Sequence, residues 1–239
     1  MAKQTKAKSA VMRKQEAPKD MSARDVYDRI YVAILEHRLR PGAKLVEERL
    51  AEIFGVSRPR IREVLAKLAH EQIVEVFPQR GAYVAKPSTE RAAEVIEARR
   101  IVEPALVQRL MRNLSPEKVA RLRGHLEQEA QALARDDTHS IIRLTSEFHV
   151  LLSDLAGNSV LGRAMRELAN LSCLITFLYN VPTQVSCRND DHEKLVDAIE
   201  QGNAERAIKL MHDHLDHIEQ ALRLEDDEPE MDLEEIFKT

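Results

Sequence analysis

The stretch that most restricts the fold is residues 50–70, LAEIFGVSRPRIREVLAKLAH. It reads as two short helices broken at Gly55-Val56-Ser57. Leu50, Ala51, Ile53 and Phe54 give the first helix an apolar side. Gly55 can enter the left-handed conformation that ends a helix, and Ser57 can cap the next one through its hydroxyl. Pro59 falls in the first turn, where a missing N–H loses no intrahelical partner. Ile61, Val64, Leu65 and Leu68 then recur at helical spacing within one arc of the second helix. Arg58, Arg60, Arg62 and Lys67 lie at the edges of that arc or opposite it. Three arginines in five residues at a helix start suit phosphate oxygens and guanine edges, which a guanidinium grips bidentately. The pattern predicts a DNA-reading helix-turn-helix, although an ordinary helical hairpin with a solvated basic face has the same periodicity.

The residues that follow favour the first reading. Residues 73–77 and 82–85 are short, apolar, β-branched runs joined by Pro78-Gln79-Arg80-Gly81, which predicts a two-stranded hairpin. Its Arg80-Gly81 tip can approach the DNA backbone or minor groove closely, because glycine has no Cβ. A helix-turn-helix followed at once by such a hairpin is a winged helix. Candidate DNA-contacting residues are Ser57, Arg58, Arg60 and Arg62 on the helix and Arg80 and Gly81 on the wing. Residues 27–88, YDRIYVAILEHRLRPGAKLVEERLAEIFGVSRPRIREVLAKLAHEQIVEVFPQRGAYVAKPS, resemble the GntR family of bacterial transcription regulators almost end to end. RPG, LVEERLAE, GVSRPRIRE and QRGAYV carry that resemblance most specifically.

Charge divides the chain at the same place. The first ninety of its 239 residues hold 18 Lys and Arg against 12 Asp and Glu, and the remainder 18 against 28. A basic first third joined to an acidic remainder suits a DNA-binding module attached to a region that does not touch DNA. Cys173 and Cys187 are too few for a disulfide framework and match no zinc spacing, so they read as reduced thiols. No apolar run reaches membrane-spanning length, and the lysine-rich start lacks the hydrophobic stretch of a signal peptide. The expectation is a cytoplasmic, nucleoid-associated bacterial protein with no membrane partner.

Taken in order, residues 1–20 form a basic, apolar-poor tail expected to be disordered. Residues 22–37 form a helix with Val26, Ile30, Ala33 and Ile34 on one face, stopped by Leu39-Arg40-Pro41-Gly42. The helix-turn-helix and wing complete a domain over residues 21–87. Beyond it no convincing strand is found. Helical periodicity covers residues 90–112, 116–135, 140–156, 160–179, 186–200 and 204–224, separated by Ser115-Pro116, Gly157-Asn158, Val181-Pro182 and Gly202-Asn203. The fold class is therefore mainly α, with an N-terminal winged helix-turn-helix followed by an all-α antiparallel bundle over residues 88–225. An acidic tail, residues 226–239, ends the chain.

The bundle resembles the FCD effector domain of FadR-type GntR regulators through EARRIVEPA, EFHVLLSDLAGN, DHEKLVDAIEQGNAERA and MHDHL. That resemblance implies an inward-facing site where one aspartate and three histidines hold a divalent ion. His149, His192 and His214 fall on the histidine positions, each on a different predicted helix, and such a set suits zinc or nickel. The aspartate would stand one turn before the first histidine, where this chain has Thr145, an uncharged and poor ligand. Glu147 should point elsewhere, and His212 and His217 read as surface residues. Arg99 matches the arginine that often contacts an acidic effector, though a structural salt bridge to a nearby glutamate is the equal alternative. Asn170 and Tyr179 are further candidates for the cavity lining, with Arg99, Thr145 and Asn170 forming the effector set. The combined expectation is a homodimeric repressor of a pseudo-palindromic operator, modulated by a small carboxylate. Two alternatives stand: a metal-dependent hydrolase using the three histidines, and an effector-free architectural DNA-binding protein.

Overall fold

The computed structural model describes residues 21–180 and 189–224. The basic start, the acidic end, Val181-Pro182, Cys187 and the first three residues of the fifth bundle helix expected from sequence lie outside the described residues.

Helix α1 (Ala23–Leu35) begins at a reciprocal capping box. The Ser22 hydroxyl accepts from the Asp25 N–H, and the Asp25 carboxylate accepts from the Ser22 N–H. A two-residue strand β1 (Lys44–Leu45), α2 (Glu47–Phe54) and α3 (Arg58–His70) follow. Gly55 closes α2 in the left-handed region, at φ 66°. Ser57 occupies the N-cap of α3, but its side chain makes no capping bond, which corrects the expected hydroxyl cap.

Strands β2 (Val74–Phe77) and β3 (Gly81–Val84) form the wing. The sheet has three strands rather than the two expected, in the order β1-β3-β2, all antiparallel. Two residues carry too little alternation to show β1 in sequence; Leu45 earns its place by being buried opposite Ala82.

Six helices complete the described chain: α4 (Thr89–Arg112), α5 (Pro116–Ala134), α6 (Thr138–Ala156), α7 (Ser159–Tyr179), α8 (Asn189–Glu200) and α9 (Ala204–Gln220). Side chains of Ser88, Ser115, Asp137, Asn158 and Asn203 each accept a backbone N–H at the start of a helix, as loop-to-helix junctions require. Helix α6 starts two residues earlier than its periodicity suggests because Asp137 caps it. Helix α9 ends four residues sooner than expected, where Leu222 instead forms a bridge with Asn180. Among the described residues no helix is long and apolar enough to cross a membrane.

Two apolar cores result. One lies within the bundle, around Phe148, Leu152, Met165, Ile175 and Met211. The other fills the winged helix with Val26, Ile30, Ile34, Ile61 and Leu68, and it takes in Cys173 and Leu174 from α7. The winged helix is thus seated on the bundle through α1, against α6 and α7. Polar bonds fasten the seam. Tyr31 donates to Asn170 Oδ1 at 2.8 Å, Asn170 Nδ2 donates to the Glu71 carbonyl at 3.2 Å, and the Cys173 thiol donates to the Leu35 carbonyl at 3.3 Å.

Candidate DNA-reading face and buried histidine site

On α3, Arg58 and Arg62 stand exposed at the helix start. Both are drawn to Glu47 of α2: Arg62 Nε donates to Oε2 at 2.7 Å, and Arg58 Nη2 lies 3.8 Å from the same oxygen. Exposed pairs of this kind are worth little, about 0–1 kcal/mol, so phosphate or a base edge can replace the carboxylate. Arg60 does not share that face. Its Nη1 donates to the Met21 carbonyl at 3.1 Å, tying α3 to the chain entering α1. Arg80 is exposed at the wing tip between Gln79 (φ 62°) and Gly81 (φ 93°), and its carbonyl accepts from the Tyr83 hydroxyl.

Inside the bundle, one ring nitrogen from each of His149, His192 and His214 lies within 4.8 Å of the other two. All three residues are buried, and they come from α6, α8 and α9. His149 Nε2 and His214 Nε2 are 3.3 Å apart. A tetrahedral ion with bonds of about 2.0–2.1 Å would hold two imidazole nitrogens about 3.3 Å apart, so the donor set fits a divalent metal. Thr145 sits one turn before His149 on α6, half-buried.

A carboxylate stands behind each imidazole. Glu103 Oε2 is 2.6 Å from His149 Nδ1, Glu129 Oε1 is 3.1 Å from His192 Nδ1, and Asp191 Oδ2 is 3.5 Å from His214 Nδ1. Burial holds the two histidines down: His149 to about 4, against partial opposition from Glu103, and His214 to about 3, against Asp191. Burial alone would raise the carboxyls, but their partners outweigh it. Arg99 and His149 hold Glu103 well below the usual range, His125 and His192 take Glu129 to about 2, and His214 and His217 take Asp191 to about 2.

Arg99 projects into the same place from α4, buried, with Nε donating to Glu103 Oε1 at 2.5 Å. The anticipated salt bridge is therefore present. It leaves one hand of the guanidinium over: Arg99 Nη2 is buried and has no hydrogen-bond partner among the described residues.

Other expected residues lie elsewhere. Asn170 is buried, but its amide is engaged by Tyr31 and the Glu71 carbonyl, so it belongs to the seam with the winged helix rather than to an effector set. Tyr179 donates to the Pro87 carbonyl at 2.8 Å, again across that seam. His217 is more than a surface residue, since its Nδ1 is 2.9 Å from Asp191 Oδ2. Glu147 pairs with Arg143, away from the histidines. Sequence reasoning missed Glu103, Glu129, Asp191 and His125. The available signal was charge on an apolar stripe: Arg99 and Glu103 share a face with Ile96, Leu106 and Leu110, and His125 and Glu129 share one with Leu122 and Ala132.

A winged helix with an arginine-rich reading helix, seated on a helical bundle with a buried polar site, defines a DNA-binding regulator with a separate sensing domain. Residues 22–84 match the family described as bacterial regulatory proteins, gntR family, and residues 94–217 match the FCD domain. An uncharacterized HTH-type transcriptional regulator in an unstable DNA locus of Streptomyces ambofaciens is 31% identical over 196 residues, covering 80% of this chain and 81% of its own. The HTH-type transcriptional repressor RspR of Escherichia coli K12 is 26% identical over 191 residues, covering 77% and 82%. A GntR structure from Rhodococcus sp. RHA1 superimposes with a TM-score of 0.69 at 25% identity, covering 84% of this chain and 99% of that one. The chain belongs to the GntR family of bacterial regulatory proteins and carries an FCD domain. It is a DNA-binding transcription regulator.

Proposed function

We propose that the chain is a homodimeric repressor whose hold on a pseudo-palindromic operator changes when a small carboxylate enters the histidine site beside a divalent metal. The observation that carries this reading is Nη2 of Arg99, buried and without a hydrogen-bond partner among the described residues, next to three converging imidazoles. A guanidinium N–H held away from water calls for an acceptor, and a carboxylate is the acceptor it grips best. His149, His192 and His214 would hold the metal; when bound, it would supply a Lewis-acidic contact for a second effector oxygen.

Operator contacts are assigned to Arg58 and Arg62, with Ser57 beside them and Arg80-Gly81 on the wing. RspR's description as a repressor supports that sign of regulation. A dimer presents two reading helices, which one small winged helix needs for selectivity, and two-fold symmetry then dictates a pseudo-palindrome.

Helix α6 supports a connection between the two ends. It carries His149, and six and ten residues before it, at Arg143 and His139, it also meets the end of α1. Arg143 Nε lies 3.4 Å from Glu36 Oε1, and His139 Nδ1 lies 2.5 Å from the Glu36 carbonyl. An effector acts only if it binds one arrangement of the winged helices better than another. A hydrolase reading fares worse, because Glu103, Glu129 and Asp191 are each committed to an imidazole and no free general base stands by the site among the described residues.

Calorimetric titration of zinc and nickel into chelator-treated full-length chain tests the site. One site per chain, lost in His149→Ala, His192→Ala and His214→Ala, is expected. No binding in the wild type, or binding indifferent to all three substitutions, overturns the metal and leaves an acid pocket around Arg99.

A further inference from the structure

The three carboxylates behind the imidazoles are arranged one to a ring. Glu103 comes from α4, Glu129 from α5 and Asp191 from α8, and each faces the Nδ1 side of a different histidine. An ionised carboxylate only accepts, so each ring is held with its proton on Nδ1 and its lone pair on Nε2. For His149 and His214 those Nε2 atoms then face each other at 3.3 Å. Two lone pairs so close repel unless positive charge lies between them.

Charge accounting points the same way. With the imidazoles neutral, three carboxylates less the Arg99 guanidinium leave two negative charges around the site, the counterpart of one divalent cation. Thr145 provides none at the position where the family resemblance implies an aspartate.

We propose that Glu103, Glu129 and Asp191 are the positioning residues of the three-histidine site: they turn each Nε2 toward the ion and supply from behind the rings the negative charge that Thr145 lacks in front of them. This rests on the metal reading above. Glu103 has a second task, since its other oxygen accepts from Arg99 and so ties the effector-facing guanidinium to a metal-facing histidine. Glu129 makes no hydrogen bond or ion pair with Arg99 among the described residues, and its second partner is His125, with Oε1 3.5 Å from Nε2, so it separates the metal-facing task from the guanidinium. Asp191, at 3.5 Å from His214 and shared with His217, should matter least.

The test measures zinc affinity of chelator-treated full-length chain by competition with a chromophoric chelator, alongside circular dichroism of each variant. Glu129→Gln keeps an acceptor but loses the charge, and should weaken zinc binding about 10–100-fold; Glu129→Ala loses both and should weaken it further. Glu147→Gln removes a carboxylate two residues from His149 that pairs with Arg143, and should leave zinc affinity unchanged. Long-range nitrogen–proton NMR correlations of the zinc-loaded wild type should show His192 protonated on Nδ1. A merely structural Glu129 would lower thermal stability without changing the zinc affinity of the folded chain or the tautomer. Folded Glu129→Gln with wild-type affinity, equal weakening by Glu147→Gln, or His192 protonated on Nε2 overturns the proposal while leaving the metal site standing. Absence of zinc binding in the wild type removes the metal reading and this inference together.

Discussion

The two charged regions of this regulator are built on opposite terms. At the start of α3, Arg58 and Arg62 are exposed and lean on one carboxylate, Glu47. In the bundle, Arg99, Glu103 and three histidines are buried and lean on one another. Water already solvates the first group, so exchanging Glu47 for a phosphate costs little and the fold does not depend on the outcome. The second group has surrendered its water, and each missing partner there is charged against the stability of the whole domain. Variants at the DNA face should change binding and spare the fold, whereas variants at the histidine site should disturb both.

Glu103→Ala should give the largest effect. It strips Arg99 and His149 of their shared partner and leaves a buried cation uncompensated, a loss of about 3–5 kcal/mol in unfolding free energy by urea titration. A cost below 1 kcal/mol would mean that this pair is far better solvated than its burial implies, and the contrast would fail.

Acid should separate the regions next. An unfolded chain takes up protons on His149 and His214 near the ordinary 6.5, but the folded chain resists until about 4 and about 3. Below 6.5 the unfolded state therefore binds more protons, and stability must fall as pH drops from about 6.5 toward 3. Glu129 and Asp191, held at about 2, extend the loss in the same direction through the usual carboxylate range. Urea midpoints of the chelator-treated chain at pH 7.5, 5.5 and 4.5 should decline in that order; a flat series would show these groups solvated in the folded chain.

At the DNA face the effects are smaller and of another kind. Arg58→Ala and Arg62→Ala should each cost about 1–3 kcal/mol of discrimination between operator and unrelated DNA, the scale of one lost bidentate base contact. Their unfolding free energies should stay within about 0.5 kcal/mol of wild type. Arg80→Ala should do least, weakening binding evenly across sequences and lowering the slope of log affinity against log salt by about 1. A change of sequence preference in Arg80→Ala would place base reading on the wing.

The same contrast explains what could be read in the sequence. The residues proposed to face DNA lie close together at one helix start, so the run from Ser57 to Arg62 displays its chemistry locally, and Gly55 and Pro59 mark the turn that presents it. The helices of the bundle were legible for a similar reason, since apolar spacing and capping residues such as Ser115, Asn158 and Asn203 are local signals. The histidine site is not local. Glu103, Glu129 and Asp191 lie 23 to 63 residues from the imidazoles they face, and only packing brings them together. Asn170 shows the converse error: a polar residue in an apolar helix looked like a cavity lining, but α7 has two buried sides, and Asn170 lies on the one covered by the winged helix. Arg60 groups with Arg58 and Arg62 by composition, although two helical steps of about 100° each turn it away from both and toward Met21.

We propose that an exposed arginine face on a winged helix reads DNA selectively for a two-fold symmetric regulator. Sequencing the fragments retained by the purified full-length chain from a sheared genome of its source organism tests that most directly, with Arg58→Ala run in parallel. A small set of sites sharing two inverted half-sites, enriched by the wild type and lost with Arg58→Ala, is expected. Fragments with no common sequence, or the same sites retained equally well by Arg58→Ala, would contradict it.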